Sequence, residues 1–222
     1  MAQELGYTYI NTGAIYRAVA WKSLEEKVGL EDQDALERIS SQLDIQFSWG
    51  GGSAWIVKVD GKDLSRKLQE ENIGKKASAI SAIPRVREAL LGLQRGLGEK
   101  GGVVMDGRDI GTFVFPEADV KFYLEATLEE RSRRRFLEIR NMGLEADPSG
   151  IAADIEKRDS DDHGRSMAPL RKAEDAIVID TTHFSIEEVK ESMLQAIRKA
   201  GMSASPDLPL EAADAQHSNP DL

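Results

Sequence analysis

Residues 102–125, GVVMDGRDIGTFVFPEADVKFYLE, constrain the fold of this 222-residue chain more than any other stretch. Two apolar runs, Val103-Val104-Met105 and Val120-Lys121-Phe122-Tyr123-Leu124, have the length and composition of short buried strands. Between them stand Asp106, Gly107, Arg108, Asp109, Ile110, Gly111 and Thr112. In a parallel sheet, ligands bind at the loops that follow the carboxyl ends of the strands. An acid-Gly-Arg-acid turn placed there offers a carboxylate to a metal or its water, and a guanidinium to a phosphate. Gly107 and Gly111 admit backbone angles that a side chain would obstruct. The stretch reads as a nucleotide-phosphate site in an α/β fold.

The flanking chain repeats the alternation of strand and helix. Residues 2–5 look like the tail of a helix with Gly6 as its C-cap, and residues 7–10 like a short strand. A domain seldom starts on the last turn of a helix, so a segment upstream is expected to be missing. Asn11 or Thr12 can cap a helix that runs to a stop at Gly29, with Ala14, Ala18, Trp21 and Val28 on its buried stripe. Tyr16 and Arg17 then lie near its N-terminus, where amide donors and the positive end of the dipole suit a phosphate.

A helix over residues 34–43 and strands over 45–47 and 55–59, around a turn at glycines 50–52, follow. Asp60-Gly61 closes another turn. This antiparallel piece departs from the α/β pattern and reads as an inserted small domain. Helices over 72–83 and 85–97 meet at Pro84. Beyond the central stretch come a helix over 128–142, a polar and mobile segment over 143–150, and a helix over 151–163. A second buried strand over 176–180 precedes a helix opened by the capping-box pattern Ser185-Ile186-Glu187-Glu188. Residues 203–222 hold three prolines and few large apolar side chains, and read as a disordered tail.

Seven arginines fall at loop edges or helix ends: Arg17, Arg87, Arg108, Arg131, Arg134, Arg158 and Arg165. On a helix Arg158, Asp162 and Arg165 share one face. That face is either a solvated ion-pair ladder or a phosphate clamp whose acid orients a guanidinium. The run 131–135 reads more simply as an exposed helix face. Asp106 follows an apolar strand as a magnesium-facing acid would, although an ordinary turn shows the same pattern. His163, His183 and His217 are dispersed and make no ligand set, and Trp21, Trp49 and Trp55 read as core or hairpin packing. No G-x-x-x-x-G-K-[ST] loop, whose amides would cradle donor phosphates, occurs in the chain. Gly102 and Gly107 have its glycine spacing, but Arg108-Asp109 replaces Lys-Ser/Thr.

The net charge of -10 argues against a general nucleic-acid surface, while leaving room for a local basic pocket. The absence of cysteine excludes disulfides and thiolate metal sites and fits a cytoplasmic protein. No apolar run reaches the ~20 residues of a membrane span, and the N-terminus lacks the regions of a signal peptide.

Six stretches together resemble the bacterial cytidylate kinases. They are NTGAIYRA from Asn11, ASAISAIPRVREALL from Ala77, VVMDGRDIGTFVFPEADVKFYLEA from Val103, EERSRRR from Glu129, IEKRDSDDHGRSMAPL from Ile155 and IDTTHFSIEEV from Ile179. They follow the family's order from Leu5 to about Lys199. The resemblance implies transfer of the γ-phosphoryl group of ATP, with Mg2+, to CMP or dCMP. It implies a P-loop-type doubly wound parallel sheet with an inserted antiparallel β/α monophosphate-binding domain and a helical lid. The core would take residues 1–36 and 100–202 with the lid at about 130–166 inside it, and the insertion 37–99. By the same match Thr12 (usually a serine in the family), Tyr16, Arg17, Ser78, Arg87, Asp109 and Asp162 would hold the acceptor nucleotide. Arg108, Arg158 and Arg165 would act on the transferring phosphoryl group, Arg134 would serve ATP, and Asp106 would face magnesium through water. A monomeric cytoplasmic enzyme, without nucleic-acid or membrane partners, is expected.

The family begins with an apolar strand and a G-x-x-G-x-G-K-[GS]-T loop. Neither stands in this sequence, so the expectation is a truncated chain with little or no kinase activity. Two rival readings are a non-catalytic CMP-binding remnant and a kinase for another small acceptor such as UMP or shikimate.

Overall fold

Strand β1 (Thr8–Asn11) pairs in parallel with β5 (Val103–Asp106), Thr8 opposite Val103 and Asn11 opposite Asp106. A second parallel pair joins β6 (Phe122–Glu125) to β7 (Ile177–Asp180), Phe122 opposite Ile177 and Glu125 opposite Asp180. The structure, a computed structural model, describes residues 1–50, 55–141, 143 and 145–201. Where one doubly wound sheet was expected, the described residues form two separate parallel pairs, and β5 and β6 each hydrogen-bond to a single neighbouring strand. Both pairs pack against one apolar layer. Leu5 of α1 (Ala2–Leu5) and Leu194 and Ile197 of α8 (Ile186–Lys199) meet Val104, Val120 and Phe122 there.

The single-neighbour arrangement corrects the reading of these strands as buried. Ile177 and Val178 are 41% and 42% exposed and Leu124 51%, and only Ile179 of β7 is enclosed. A continuous apolar run signals a strand covered on both faces. Here it is covered in part.

The antiparallel piece contains β2 (Ile45–Trp49), β3 (Trp55–Val59) and β4 (Lys62–Asp63), in that order. Asp60 and Gly61, at φ of 49° and 77°, make the tight turn between β3 and β4. An Asp-Gly pair suits such a turn because both residues must adopt left-handed angles. The expected glycine turn between β2 and β3 lies largely outside the described residues, as do all of residues 203–222.

Helix starts follow their caps. The Asn11 side chain accepts from the Ala14 amide at 3.0 Å and opens α2 (Thr12–Glu25). That helix ends before Gly29, with Lys27 already at φ 56°. Helices α3 (Gln33–Ser41), α4 (Glu71–Ile80) and α5 (Pro84–Gly98) follow, Pro84 standing in the first turn of α5. After α6 (Leu128–Asn141), α7 (Pro148–Gly164) begins inside the segment expected to be mobile. Asp147 accepts from the Ser149 and Gly150 amides, and Asp-Pro is a cap followed by a first helical residue that needs no amide partner. Ser185 and Glu188 form the expected capping box of α8.

The largest apolar cluster runs from Ile15, Ala18 and Val19 of α2 into Leu36 and Ile39 of α3, Ile73 and Ile80 of α4, and Val86 and Leu90 of α5, and takes in Ile45 and Val59 of the antiparallel sheet. The region read as an insertion therefore shares one core with α2. No described helix is long and apolar enough to cross a membrane.

Leu90 is fully buried in that cluster. Leu90→Ala is expected to destabilise the fold by about 2–5 kcal/mol through lost burial and a residual cavity. Truncating Ile186, which is 85% exposed, should stay within about 0.5 kcal/mol. Guanidinium unfolding of the two variants measures the contrast.

Candidate active site

The site is built where β1 and β5 end side by side. The Thr12 hydroxyl, buried at the first residue of α2, donates to the Asp106 carbonyl at 2.8 Å. A Cβ on Gly107 would stand 2.3 Å from Thr12 Oγ1, so this close approach requires glycine. The chain then makes one π-helical turn, Ile110–Val114, in which the Phe115 amide returns to the Ile110 carbonyl at 2.7 Å.

Asp109, 6% exposed, is ion-paired there with Arg87 of α5, 4% exposed. Arg87 also donates from Nη1 to the Ser81 carbonyl at 3.0 Å. Its guanidinium carbon lies 5.7 Å from the centroid of the Tyr16 ring, within cation–π range. Burial pushes the Asp109 carboxyl up, against the pull of Arg87. Burial likewise raises the Tyr16 hydroxyl, which keeps it a neutral phenol able to donate.

A second constellation hangs on α7. Asp162, 1% exposed, is ion-paired with Arg165, with Arg108 Nε at 3.5 Å and with Arg158 Nε at 4.0 Å. One turn earlier Asp159 takes Arg131 Nη1 at 2.5 Å and has Arg108 Nη1 at 3.8 Å. Arg165 Nη2 donates to the Ser81 hydroxyl at 3.0 Å, so Ser81 touches Arg87 through its carbonyl and Arg165 through its side chain. Burial lowers the pKa of Arg158, and the nearby charges of Arg108, Arg17 and Arg165 lower it further against the opposing Asp162. Arg17 itself donates to the Leu68 carbonyl at 2.6 Å, and Gly74 leaves room for its guanidinium. Arg17, Arg108, Arg158 and Arg165 are thus brought together, with Thr12, Tyr16, Arg87, Asp109 and Asp162 beside them. Such a surplus of guanidiniums, held by carboxylates and carbonyls, is suited to an anionic ligand.

Of the other predicted residues, Ser78 and Asp106 touch this network and Arg134 does not. Ser78 of α4 is half-buried, and its carbonyl accepts from the Ser81 hydroxyl at 2.8 Å. Arg134 spends its donors on the protein: Nη1 on Thr181 Oγ1 at 3.1 Å, Nη2 on the Thr181 carbonyl at 2.5 Å, and Nε on Glu130 at 2.8 Å. Glu130, held chiefly by Arg133 and then by Arg134, has its carboxyl pulled down to about 2. Asp106 is surface-accessible, yet enough protein surrounds its carboxylate that desolvation raises its pKa against the Tyr9 hydroxyl and Arg108. Among the described residues no group of three His, Cys, Asp or Glu could hold a metal by itself. Trp49 and Trp55 pack edge to face at 4.8 Å in the hairpin, as expected. Ser81 and Asp159 carry as much of the geometry as the predicted residues, and no spacing in the sequence singles them out.

Arg87→Met is expected to cost about 3–5 kcal/mol, because it leaves the Asp109 carboxylate buried and unpaired. Adding Asp109→Leu should recover most of the loss, in guanidinium unfolding of both variants.

A family model described as cytidylate kinase matches residues 1–199. The chain is 43% identical over 206 residues to the cytidylate kinase of Syntrophotalea carbinolica, covering 93% of this chain and 87% of that relative. It is 45% identical over 197 residues to that of Vibrio cholerae and 46% identical over 199 residues to that of Caldanaerobacter subterraneus subsp. tengcongensis. These matches cover 89% and 90% of this chain, and 87% of each relative. The family match begins at residue 1 and lends no support to the expected upstream segment.

Proposed function

This chain belongs to the cytidylate kinase family, and from that premise we propose that its arginine-lined site receives CMP or dCMP as acceptor of the γ-phosphoryl group of ATP. The observation that carries the reading is the convergence of Arg108, Arg158 and Arg165 about Asp162, with the charge of Arg17 felt at Arg158 and the buried Arg87–Asp109 pair linked to Arg165 through Ser81. Phosphoryl transfer asks chiefly for positioning and for neutralisation of charge on the moving group. In this reading Arg17, with Thr12 and Tyr16 near the N-terminus of α2, takes the acceptor phosphate, and Arg108, Arg158 and Arg165 stabilise the transferring group. Asp162 holds their guanidiniums in place.

Arg87, Asp109 and Ser78 face the base and sugar. An amine-reading acid beside a guanidinium could separate cytosine from uracil strongly, since the wrong base leaves buried polar groups unpaired. Arg134 of α6, bound to Thr181 just past β7, is assigned to the ATP side. Mg2+ would be held by Asp106 through water. One accessible carboxylate is enough where the substrate's phosphates supply the remaining hard oxygen ligands, and the ion would neutralise charge on the phosphates.

The 222 residues contain no G-x-x-x-x-G-K-[ST] sequence, whose amides and lysine would cradle the donor phosphates. The chain expressed by itself is therefore expected to bind CMP and to turn it over poorly. Two measurements test the two halves. Titration calorimetry should show CMP bound more tightly than UMP, with Arg165→Ala weakening CMP by tenfold or more on the order expected for a lost charge-assisted contact; no CMP binding by the parent chain would remove the acceptor site. A coupled assay for ADP with CMP and ATP should show little turnover, and robust turnover would refute the inactivity.

A further inference from the structure

Ser81 ends α4 as its C-cap and is buried. Its hydroxyl donates back to the Ser78 carbonyl at 2.8 Å, a local bond that serine commonly makes at a helix end. A hydroxyl has one proton to give, so with that proton spent its oxygen can only accept. It accepts from Arg165 Nη2 at 3.0 Å, across 84 residues of sequence. The Ser81 carbonyl separately takes Arg87 Nη1 at 3.0 Å. The helix end accounts for the first bond and gives no reason for the bond to Arg165.

Arg165 is the C-cap of α7, and its side chain is 11% exposed. Its Nη2 is shared between the Ser81 oxygen and Asp162 Oδ1, the partner in its ion pair. Its Nε is buried and has no hydrogen-bond partner. A nearly buried guanidinium that keeps a donor unpaired is poised for an anion that the protein does not supply. An ion pair is weakly directional, so Asp162 by itself leaves the guanidinium free to turn, and a hydrogen bond to a fixed oxygen removes that freedom. We propose that Ser81 is a positioning residue of the acceptor site, its hydroxyl oxygen holding the Arg165 guanidinium in the orientation that leaves Nε for a nucleotide phosphate. The inference rests on the reading of Arg165 as a phosphate-binding group.

The test uses the full chain with Ser81→Ala, which removes the hydroxyl and keeps the carbonyl that Arg87 uses. Ser81→Thr keeps both, and Ser81→Ala is made again in an Arg165→Ala background. CMP titration calorimetry and thermal unfolding without nucleotide are run on every variant. Ser81→Ala is expected to weaken CMP binding about fivefold, and Ser81→Thr to stay within about twofold of the parent. In the Arg165→Ala background, Ser81→Ala should change CMP binding by less than about twofold, because the group through which Ser81 acts is absent. A lowered melting temperature with unchanged CMP binding would make the hydroxyl a structural group and overturn the inference. Equal weakening in both backgrounds would overturn it by showing an action independent of Arg165, and so would a threonine variant as weak as the alanine one. Absence of CMP binding by the parent would instead remove the acceptor-site reading, and the inference with it.

Discussion

The Arg87–Asp109 pair joins parts of the molecule that the apolar core leaves unconnected. Arg87 stands on α5, inside the large cluster shared by α2, α3 and α4, whereas Asp109 begins the π-turn after β5, outside that cluster. Two charges taken out of water repay their desolvation only when their remaining hydrogen-bonding capacity is met as well. Arg87 meets part of it with the Ser81 carbonyl and the face of Tyr16. The pair thereby fixes the distance between the helix that carries one half of the site and the loop that carries the other.

Ser81 extends the same junction to α7 through Arg165. The result is a chain of polar contacts from the β5 loop through α5 and the end of α4 to the C-terminal end of α7. It explains how a protein of net charge -10 concentrates guanidiniums in one place. Asp159 and Asp162 separate the arginines enough for them to coexist, and burial of Asp162 keeps its charge close to them rather than screened by water.

Much of this was legible in the sequence where local chemistry decides the outcome. The Gly6 C-cap, the Asn11 cap, Pro84 at the start of α5, the Asp60-Gly61 turn and the Ser185 capping box are local rules, and the structure follows them. The arginines were legible as a set because they recur at loop edges and helix ends, a pattern that a solvated face shares. What stayed hidden depends on which segments meet. Nothing near Ser81 in sequence tells that Arg165, from the end of a distant helix, will reach its hydroxyl while nearby Arg87 takes its carbonyl. Asp147-Pro148 did carry a helix-start signal, but the polar residues around it masked the signal. The exposure of Ile177 and Val178 could not be read from an apolar run, since it is set by how many strands and helices cover the run. Arg134 looked like its neighbours in an arginine-rich stretch, and only its contact with Thr181 shows that it pins α6 to the end of β7.

That pin has a mechanical consequence. Helix α6 is bolted to the sheet, Arg134 gripping Thr181 whose hydroxyl in turn donates to the Glu125 carbonyl. Helix α7 is anchored differently, by Arg131 on Asp159 and by Arg165 at its end on Ser81. Its one buried residue is Asp162, so it is held by charge and hardly at all by apolar contact. Ionic strength, which leaves apolar packing almost untouched, would loosen the part-exposed pairs of this helix, Arg131–Asp159 and Arg108–Asp159, before the buried Asp162–Arg165 contact.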